Sequence, residues 1–356
     1  MRDRILLATR KGLLDFAKRG NTWVIAGQSF LGQPVSAVLR DPDNAFLYAA
    51  LNLGHFGVKL HRSKDDGNSW EEIACPSYTG IATDSEEKAN LQLIWILERD
   101  HQGHLWAGTI PGGLFKSTDN GDTWQLNEFL WHNPARKEWF GGGYDSPGIH
   151  SICIDPKRAG YMALAISCGG VWLSEDYGET WRPSTKGMVA DYLPPEQADN
   201  PNQQDPHRLV QCPGEPDHFW VQHHNGIFYS KDRCATWTRV YAPPSSFGFA
   251  VVVHPKNPEQ AWFVPGVKDE YRYPVDCRFC VTHTADGGRS FIAQTSGLPQ
   301  QESFDLVYRH ALDIDSSGDR LVMASTTGNM WLSENGGTDW SCVSNYLPPV
   351  YAVRFV

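Results

Sequence analysis

Five of the thirteen histidines occupy equivalent positions in an internal repeat of the chain, which is a pattern that could bind a metal ion. A neutral imidazole is a common ligand of Zn, Cu, Fe, Ni and Mn. Imidazoles bring no charge, so the site would depend on the ion itself or on carboxylates nearby. The sequence therefore predicts a divalent transition metal (Zn, Fe, Mn or Cu) as cofactor. The predicted ligands are His55, His150, His207, His224 and His310.

Three other residues are candidate catalytic residues at the same end of the repeat. Arg10 shares a repeat position with two of the histidines, and its guanidinium suits an anionic group of a substrate. Its alternative role is a structural contact with the C-terminal strand. Trp95 would stack on a sugar or another flat ligand, as would Phe249 and Tyr271, and rim packing is the alternative for each. Glu270 supplies a carboxylate from an insertion.

An octapeptide that ends in an aromatic residue, usually Trp, positions these residues along the chain. Ser or Thr, then Asp and Gly, are the residues of a tight turn: Asp bonds nearby backbone N–H groups and Gly supplies a positive φ. A seventh, degenerate copy keeps only Gly20–Trp23 and would begin at Phe16. The six recognisable copies begin at Ser63, Ser117, Ser174, Ser230, Thr284 and Ser333.

The copies recur about every fifty residues, and apolar strand-like segments flank each of them. A period of this length is typical of a β-propeller or a similar array, in which each repeat is one small sheet. The 356 residues therefore form one domain, residues 1–356, rather than two or three.

The octapeptides resemble the Asp-box, or BNR, repeat of the sialidase-like β-propellers. That family includes glycosidases, lyases, receptors and non-catalytic assembly factors, and in it the box marks architecture rather than catalysis. The whole chain also resembles uncharacterised bacterial BNR-repeat proteins that are loosely described as glycosyl hydrolases. The segments that carry this second resemblance are 9–12, 54–57, 247–249 and 347–349.

Seven copies imply seven blades, so the expected fold is an all-β, seven-bladed propeller with Asp-box turns. The first blade lacks an innermost strand, and the strand-like tail Val350–Val356 lacks a following box. We expect the tail to complete the first blade, because this pairing joins the chain ends and removes an open sheet edge.

Aligning the blades by their boxes identifies the residues nearest the axis. One ring lies where the second strand of each blade ends, and the other lies where the first strand begins. The five histidines fall on these two rings, while His223 would point away by alternation. Long connections at 71–90, 125–149 and 182–206 are expected to lie beside them as functional loops. The alternative is a wet channel in which the histidines bond only water.

Charge and composition exclude several classes of partner. The net charge of −10 argues against nucleic acid and anionic membranes, which require a surplus of Lys and Arg. No apolar run is long enough to span a membrane. The apolar segment Ile5–Thr9 is too short for a signal peptide, which favours a cytoplasmic location. Cys277 and Cys280 form the one close cysteine pair, without the second pair that a zinc site needs.

Three functions are consistent with these residues. The first is a metal-dependent enzyme, with hydrolase, lyase or oxygenase chemistry, that acts on a small polar or anionic substrate such as a sugar derivative. The second is a non-catalytic binding or assembly propeller. The third is a metal-free glycosidase or lyase, which would need paired carboxylates that the two rings lack. A true sialidase is disfavoured, because the family's N-terminal Arg-Ile-Pro motif is replaced here by Thr9-Arg10-Lys11.

Overall fold

A computed structural model describes residues 3–41, 43–79 and 89–356. These residues form seven four-stranded antiparallel sheets, and the sheets are the blades of a propeller. In six of the blades the first strand in chain order lies innermost, because these strands of successive blades contact one another. In the blade that contains both chain ends, the C-terminal strand lies innermost. The all-β, seven-bladed architecture predicted from the repeat is therefore confirmed.

The first fifteen strands belong to the first four blades. In chain order they are β1 (Arg4–Thr9), β2 (Gly12–Arg19), β3 (Thr22–Ser29), β4 (Val35–Arg40), β5 (Leu47–Asn52), β6 (Val58–Ser63), β7 (Glu71–Ile73), β8 (Leu93–Arg99), β9 (Leu105–Ile110), β10 (Leu114–Ser117), β11 (Gln125–Leu126), β12 (Ile149–Ile154), β13 (Met162–Ile166), β14 (Gly170–Ser174) and β15 (Arg182–Pro183).

The remaining strands complete the last three blades and the first. They are β16 (Pro206–Gln211), β17 (Phe219–His223), β18 (Gly226–Ser230), β19 (Thr238–Val240), β20 (Gly248–Val253), β21 (Ala261–Pro265), β22 (Val281–Thr284), β23 (Ile292–Gln294), β24 (Leu312–Ile314), β25 (Leu321–Ala324), β26 (Met330–Ser333), β27 (Ser341–Ser344) and β28 (Val350–Phe355).

Helical structure in the described residues is confined to short connections. One α-helical turn, α1, spans Glu128–Trp131, and four 3-10 segments span Gly54–Phe56, Pro134–Glu138, Pro195–Gln197 and Val275–Cys277. None of the described helices has the length and apolar character needed to cross a bilayer.

The C-terminal strand closes the propeller as predicted. β28 pairs antiparallel with β1, with Leu7 opposite Val353, and the first blade has the order β28-β1-β2-β3. The backbone N–H of Arg10 also donates to the carbonyl of Pro349 at 2.9 Å. The two termini thus share one sheet, which removes the edge that an open ring would expose.

Six of the octapeptides form the same turn between the third and fourth strands of a blade. In each, the first hydroxyl accepts the N–H of the residue four positions later at 2.8–3.0 Å. The Asp or Asn two positions on accepts another N–H through Oδ1 at 2.8–3.0 Å. The repeated hydrogen bonds explain why these residue types recur.

The first blade departs from the prediction. Its third and fourth strands, β2 and β3, are joined by a two-residue turn at Gly20 and Asn21, and Phe16 lies inside β2. Gly20 has a φ of 62°, which glycine tolerates without steric cost. The degenerate copy that was expected to begin at Phe16 therefore does not form the octapeptide turn.

The core lies between neighbouring blades, where apolar faces of adjacent sheets meet. The turn tryptophans Trp181, Trp237 and Trp340 cover this core and are only 3–4 % exposed. Other tryptophans lie on the strands themselves and are fully buried. They are Trp106, Trp172, Trp220 and Trp262.

A β-bulge marks the start of the innermost strand in six blades, and in the first blade the extra residue is Tyr351 of β28. In blade five, Pro206 pairs with His223 and Arg208 pairs with Gln222, so His207 is the extra residue. The same shift occurs at Ser36, Trp95, His150 and within Gly248–Val251. Bulges redirect side chains next to functional sites, and the other five lie at ring positions identified from the repeat.

Candidate metal centre and axial cavity

Blade five alone brings together the three side chains that form the best ligand set in the described residues. They are Asp205, His207 and His224, and one ligand atom of each lies within 4.8 Å of the others. Asp205 immediately precedes β16, His207 is the bulged residue of β16, and His224 follows β17. The backbone N–H of His224 donates to the Asp205 carbonyl at 2.9 Å, which holds the two segments together.

Two imidazole nitrogens converge on a single carboxylate oxygen of Asp205. His207 Nε2 and His224 Nδ1 each lie 3.3 Å from Asp205 Oδ2. Metal–ligand bonds of about 2.1 Å place two ligands of one tetrahedral ion about 3.4 Å apart. The spacing therefore suits one ion bound by two histidines and one carboxylate.

The hydrogen bond on the far side of His207 fixes its tautomer. His207 Nδ1 lies 2.7 Å from the carbonyl oxygen of Gly248, which can only accept, so Nδ1 carries the proton. In the neutral ring, Nε2 then directs a lone pair at Asp205 Oδ2, which is also an acceptor. Burial lowers the pKa of His207, so the neutral ring is favoured. A cation between Nε2 and Oδ2 would satisfy both atoms.

The second histidine has the opposite tendency. Burial acts to lower the pKa of His224, but the hydrogen bond and negative charge of Asp205 outweigh it, and the pKa of His224 is raised. Protonated His224 therefore competes with a metal ion for the same carboxylate oxygen, and metal affinity should fall as the pH is lowered.

The Asp205 carboxylate is held by partners outside the ligand set. Its Oδ1 accepts the backbone N–H of Cys168 at 3.1 Å and the hydroxyl of Ser167 at 3.4 Å. Its own backbone N–H donates to His223 Nε2 at 3.1 Å. Cys168 adopts a φ of 50°, which is uncommon for a residue other than glycine and is concentrated at functional sites. Such outer contacts orient metal ligands.

Two of the long connections lie over this ligand set, as expected. A Cβ at Gly142 would lie 2.9 Å from Cys168 Sγ and 3.6 Å from Asp205 Oδ2, so only glycine leaves that space open. The Tyr192 ring lies 5.0 Å from the His224 ring. In the third connection, Tyr78 is buried against Trp131 at 4.7 Å, and residues 80–88 fall outside the described residues.

A cavity of about 840 Å³ opens at the same end of the propeller. Two arginines, Arg272 and Arg309, are among its lining residues, and none of the described lining residues is Asp or Glu. Trp95 and Phe249 form part of its aromatic wall. Phe249 also stacks on His207 with 4.5 Å between ring centroids, so this ring separates the cavity from the ligand set.

The structure does not bring all five predicted histidines onto one ion. His150 Nε2 donates to the Pro206 carbonyl at 2.7 Å, and its Nδ1 accepts from Ser151 Oγ at 3.0 Å, so both nitrogens are used. His310 Nε2 donates to the His150 carbonyl at 2.7 Å across the axis. Burial lowers the pKa of both rings well below the ordinary value. Of the two, His310 also lines the cavity.

Two other predicted residues lie away from the ligand set. His55 is exposed on the 3-10 segment Gly54–Phe56 and contacts the Phe56 ring at 3.9 Å. Arg10 is exposed in the β1–β2 turn and is not among the described residues that line the cavity. Its backbone bond to Pro349 fits the structural role considered for it above.

Trp95 and Glu270 border different spaces. Trp95 lines the cavity, 5.3 Å from the His150 ring and 4.9 Å from the Arg309 guanidinium carbon. Glu270 is exposed, pairs with Lys268 at 3.4 Å and borders a groove of about 420 Å³ that also includes His224. Tyr271 is 54 % exposed and does not line the cavity.

Sequence reasoning missed Asp205 as a ligand and Arg309 as a cavity residue. Asp205 lies two residues before His207, and the two-residue period of a strand would have placed both side chains on one face. Arg309 adjoins the ring residue His310, but alternation turns adjacent residues to opposite faces. The bulges break this alternation, so the repeat provides no rule for choosing between neighbouring residues. Cys277 and Cys280 are both free thiols.

No protein-family model matches the sequence, and no curated protein matches it. Solved structures do resemble it. The GH74 xyloglucanase of Xanthomonas campestris is 17 % identical with a TM-score of 0.66, and the alignment covers 97 % of this chain and 53 % of that one. The chain thus spans about half the length of the xyloglucanase.

Two further structures cover most of both chains. A putative 6-phosphogluconolactonase from Bacteroides uniformis is 12 % identical, with a TM-score of 0.60 and full coverage of both chains. YCF48 from Cyanidioschyzon merolae is 11 % identical, with a TM-score of 0.56, over 88 % of this chain and 87 % of that one. All three are less than 25 % identical to this chain, so these similarities show the fold alone: the chain is a seven-bladed β-propeller.

Proposed function

We propose that the protein is a metal-dependent enzyme that acts on a small anionic substrate at the axial end of the propeller. The observation that carries the proposal is the convergence of His207 Nε2 and His224 Nδ1 on Asp205 Oδ2, each at 3.3 Å. The Gly248 carbonyl fixes the tautomer of the His207 ring, and burial favours its neutral form. A metal ion bound by Asp205, His207 and His224 satisfies all three side chains.

The chemistry follows from the ligand set. Two histidines and one carboxylate on one side of an ion leave other coordination positions open, as in many catalytic sites. Such an ion would polarise a substrate oxygen or activate water or dioxygen, which are the hydrolase, lyase and oxygenase alternatives. Zn, Fe, Mn and Cu all accept this donor set. The octapeptide turns support a relationship to the Asp-box propellers, in which the boxes are structural.

Elemental analysis of protein purified without a histidine tag tests the metal site. We expect about one equivalent of a transition metal per chain, and a drop of about tenfold or more in affinity in Asp205→Asn and in His224→Gln. The matched control is His55→Ala, an exposed histidine outside the ligand set, which should retain the metal. Circular dichroism on each variant separates metal loss from unfolding.

Turnover provides the second test. Hydrolysis, elimination or oxygen consumption with small carboxylate substrates should stop after chelation and return when the metal is restored. The proposal is contradicted if the native protein contains none of Zn, Fe, Mn and Cu and also binds none of them more tightly than Asp205→Asn does. Stable capture of a protein partner by such metal-free protein would instead favour the binding or assembly propeller.

A further inference from the structure

The cavity beside the ligand set contains an arginine, Arg309, that forms no ion pair with any carboxylate of the described residues. Within the described parts of the chain, Nε of Arg309 is buried without a hydrogen-bond partner, and no carboxylate forms an ion pair with the guanidinium. The other cavity arginine, Arg272, is paired with Asp269 at 2.5 Å. A buried charge without a partner is costly, so an unpaired Arg309 points to a ligand.

Aromatic rings fix the position of Arg309. Its guanidinium carbon lies 4.9 Å from the centre of the Trp95 ring and 5.1 Å from the centre of the Phe249 ring. The faces of these rings stabilise the cation by cation–π contacts, but the rings accept no hydrogen bond from the N–H groups in the guanidinium plane. The planar N–H groups therefore stay available for an acceptor in the cavity, and a carboxylate matches their paired geometry.

The charge of the surroundings selects the same kind of ligand. The chain carries a net charge of −10, yet the described residues that line the cavity include two arginines and no carboxylate. Asp205 is the charged group that acts most strongly on Arg309, but its carboxylate already faces His207 and His224. Burial lowers the pKa of Arg309, and a guanidinium nevertheless stays protonated at neutral pH.

We infer that Arg309 binds the carboxylate of a small organic anion in this cavity, with the body of that anion against the aromatic wall. Trp95 and Tyr144 lie on one side of the cavity, with 5.4 Å between their ring centroids. Tyr308 and Tyr351 supply further aromatic surface. A volume of about 840 Å³ accommodates an aromatic acid or a sugar acid. As a statement about the substrate, this inference rests on the proposed function; as a binding site, it stands without the metal.

Calorimetric titration with paired probes tests the inference. Benzoate is compared with benzamide, and D-glucuronate with D-glucose, so that each pair differs chiefly in the anionic group. We expect at least one carboxylate to bind about tenfold or more tightly than its uncharged partner, because a bond between charged groups is at stake. Arg309→Met should reduce that carboxylate to the affinity of the uncharged probe, and Arg309→Lys should weaken it to a smaller extent.

The matched control is Arg289→Met, which removes an arginine that is 75 % exposed and lies outside the cavity. It should bind the carboxylates as the native protein does, and thermal denaturation checks that each variant is folded. The inference is wrong if neither carboxylate is preferred, or if Arg309→Met binds as well as native protein. Tighter binding of phenyl phosphate than of benzoate would overturn the assignment of the group as a carboxylate.

The same titrations separate this inference from the proposed function. Chelated protein and Asp205→Asn should still prefer the carboxylates, because Arg309 is not a metal ligand. If the native protein prefers carboxylates but binds no metal, the enzyme proposal is contradicted and the anion site is supported. A bound metal without carboxylate preference would contradict the anion site alone.

Discussion

The two ends of the propeller are built on opposite rules. At one end, six turns repeat the same hydrogen bonds, with the first hydroxyl accepting an N–H at 2.8–3.0 Å in each. At the other end, equivalent positions hold different residues, and blade five alone supplies the ligand set Asp205, His207 and His224. The difference teaches that repetition here serves stability and that the departures from repetition mark the candidate site.

The largest expected effect is on stability at the repeated end. Trp237 is 4 % exposed, and its Nε1 donates to the Ser184 carbonyl at 2.9 Å. Trp237→Ala should lower the free energy of unfolding by about 3–5 kcal/mol, because it leaves a cavity between blades. Chemical denaturation measures this loss, and Trp124→Ala, at a more exposed turn tryptophan, should cost less. The folded Trp237→Ala protein should keep its metal. Loss of the metal would contradict the conclusion that the repeated turns serve stability and not the candidate site.

The next prediction distinguishes a structural histidine from a metal ligand at the end of the propeller that carries the ligand set. His150→Ala removes hydrogen bonds to Pro206 and Ser151, so the free energy of unfolding should fall by about 2–3 kcal/mol. Its metal content should equal that of the native protein, because both His150 nitrogens are already used. A stable His150→Ala variant that loses the metal would show that His150 is a ligand.

A smaller loss is expected from a single turn hydroxyl. Ser174 Oγ accepts the buried N–H of Gly178 at 2.9 Å and donates to Asp176 Oδ1 at 2.8 Å. Ser174→Ala leaves that N–H without a partner and should cost about 1–2 kcal/mol in urea denaturation. Ser174→Thr keeps the hydroxyl and should recover much of the loss. Equal stability of Ser174→Ala and the native protein would contradict the role given to the repeated bonds.

The smallest effect is the acid sensitivity of the turn carboxylates. Hydrogen bonds from the side chain and backbone of Ser290 lower the pKa of Asp286 from 3.8 to about 2. A lowered folded pKa adds stability above pH 4, and this stability is lost as the pH falls from about 4 to about 2. The variant Asp286→Asn places an amide at this position, as Asn335 does in the last blade. Between pH 5 and pH 3 this variant should lose less stability than the native protein. Identical slopes of stability against pH would contradict this.

The sequence could predict the fold because the repeat is local. Each octapeptide satisfies its own backbone groups, so Ser174, Asp176 and Gly178 indicate their turn without reference to the rest of the chain. Counting the turns gave seven blades, and the unpaired tail predicted the closure by β28 that the structure shows. The first blade was the exception, because its turn is a short hairpin at Gly20 that needs no octapeptide.

The candidate site was only partly predictable from sequence. Alignment by the turns found His207 and His224, because both lie at ring positions. It also selected His55, which is exposed, and His150 and His310, whose ring nitrogens contact distant segments. One such contact is the bond from His310 to the His150 carbonyl, which joins the seventh blade to the fourth. Residue type and position in the repeat do not reveal which nitrogens such contacts use.

The sequence by itself determined the repeat, the number of blades, the turns and the end of the molecule where the histidines collect. Only the tertiary structure decided that Asp205 completes a ligand set with His207 and His224, and that Arg309 lies between two aromatic rings without a paired carboxylate in the described residues. The physical reason is the separation along the chain of the residues that interact. Turns are stabilised by bonds within eight residues, whereas bulges and contacts across the axis set the direction of each side chain in the site.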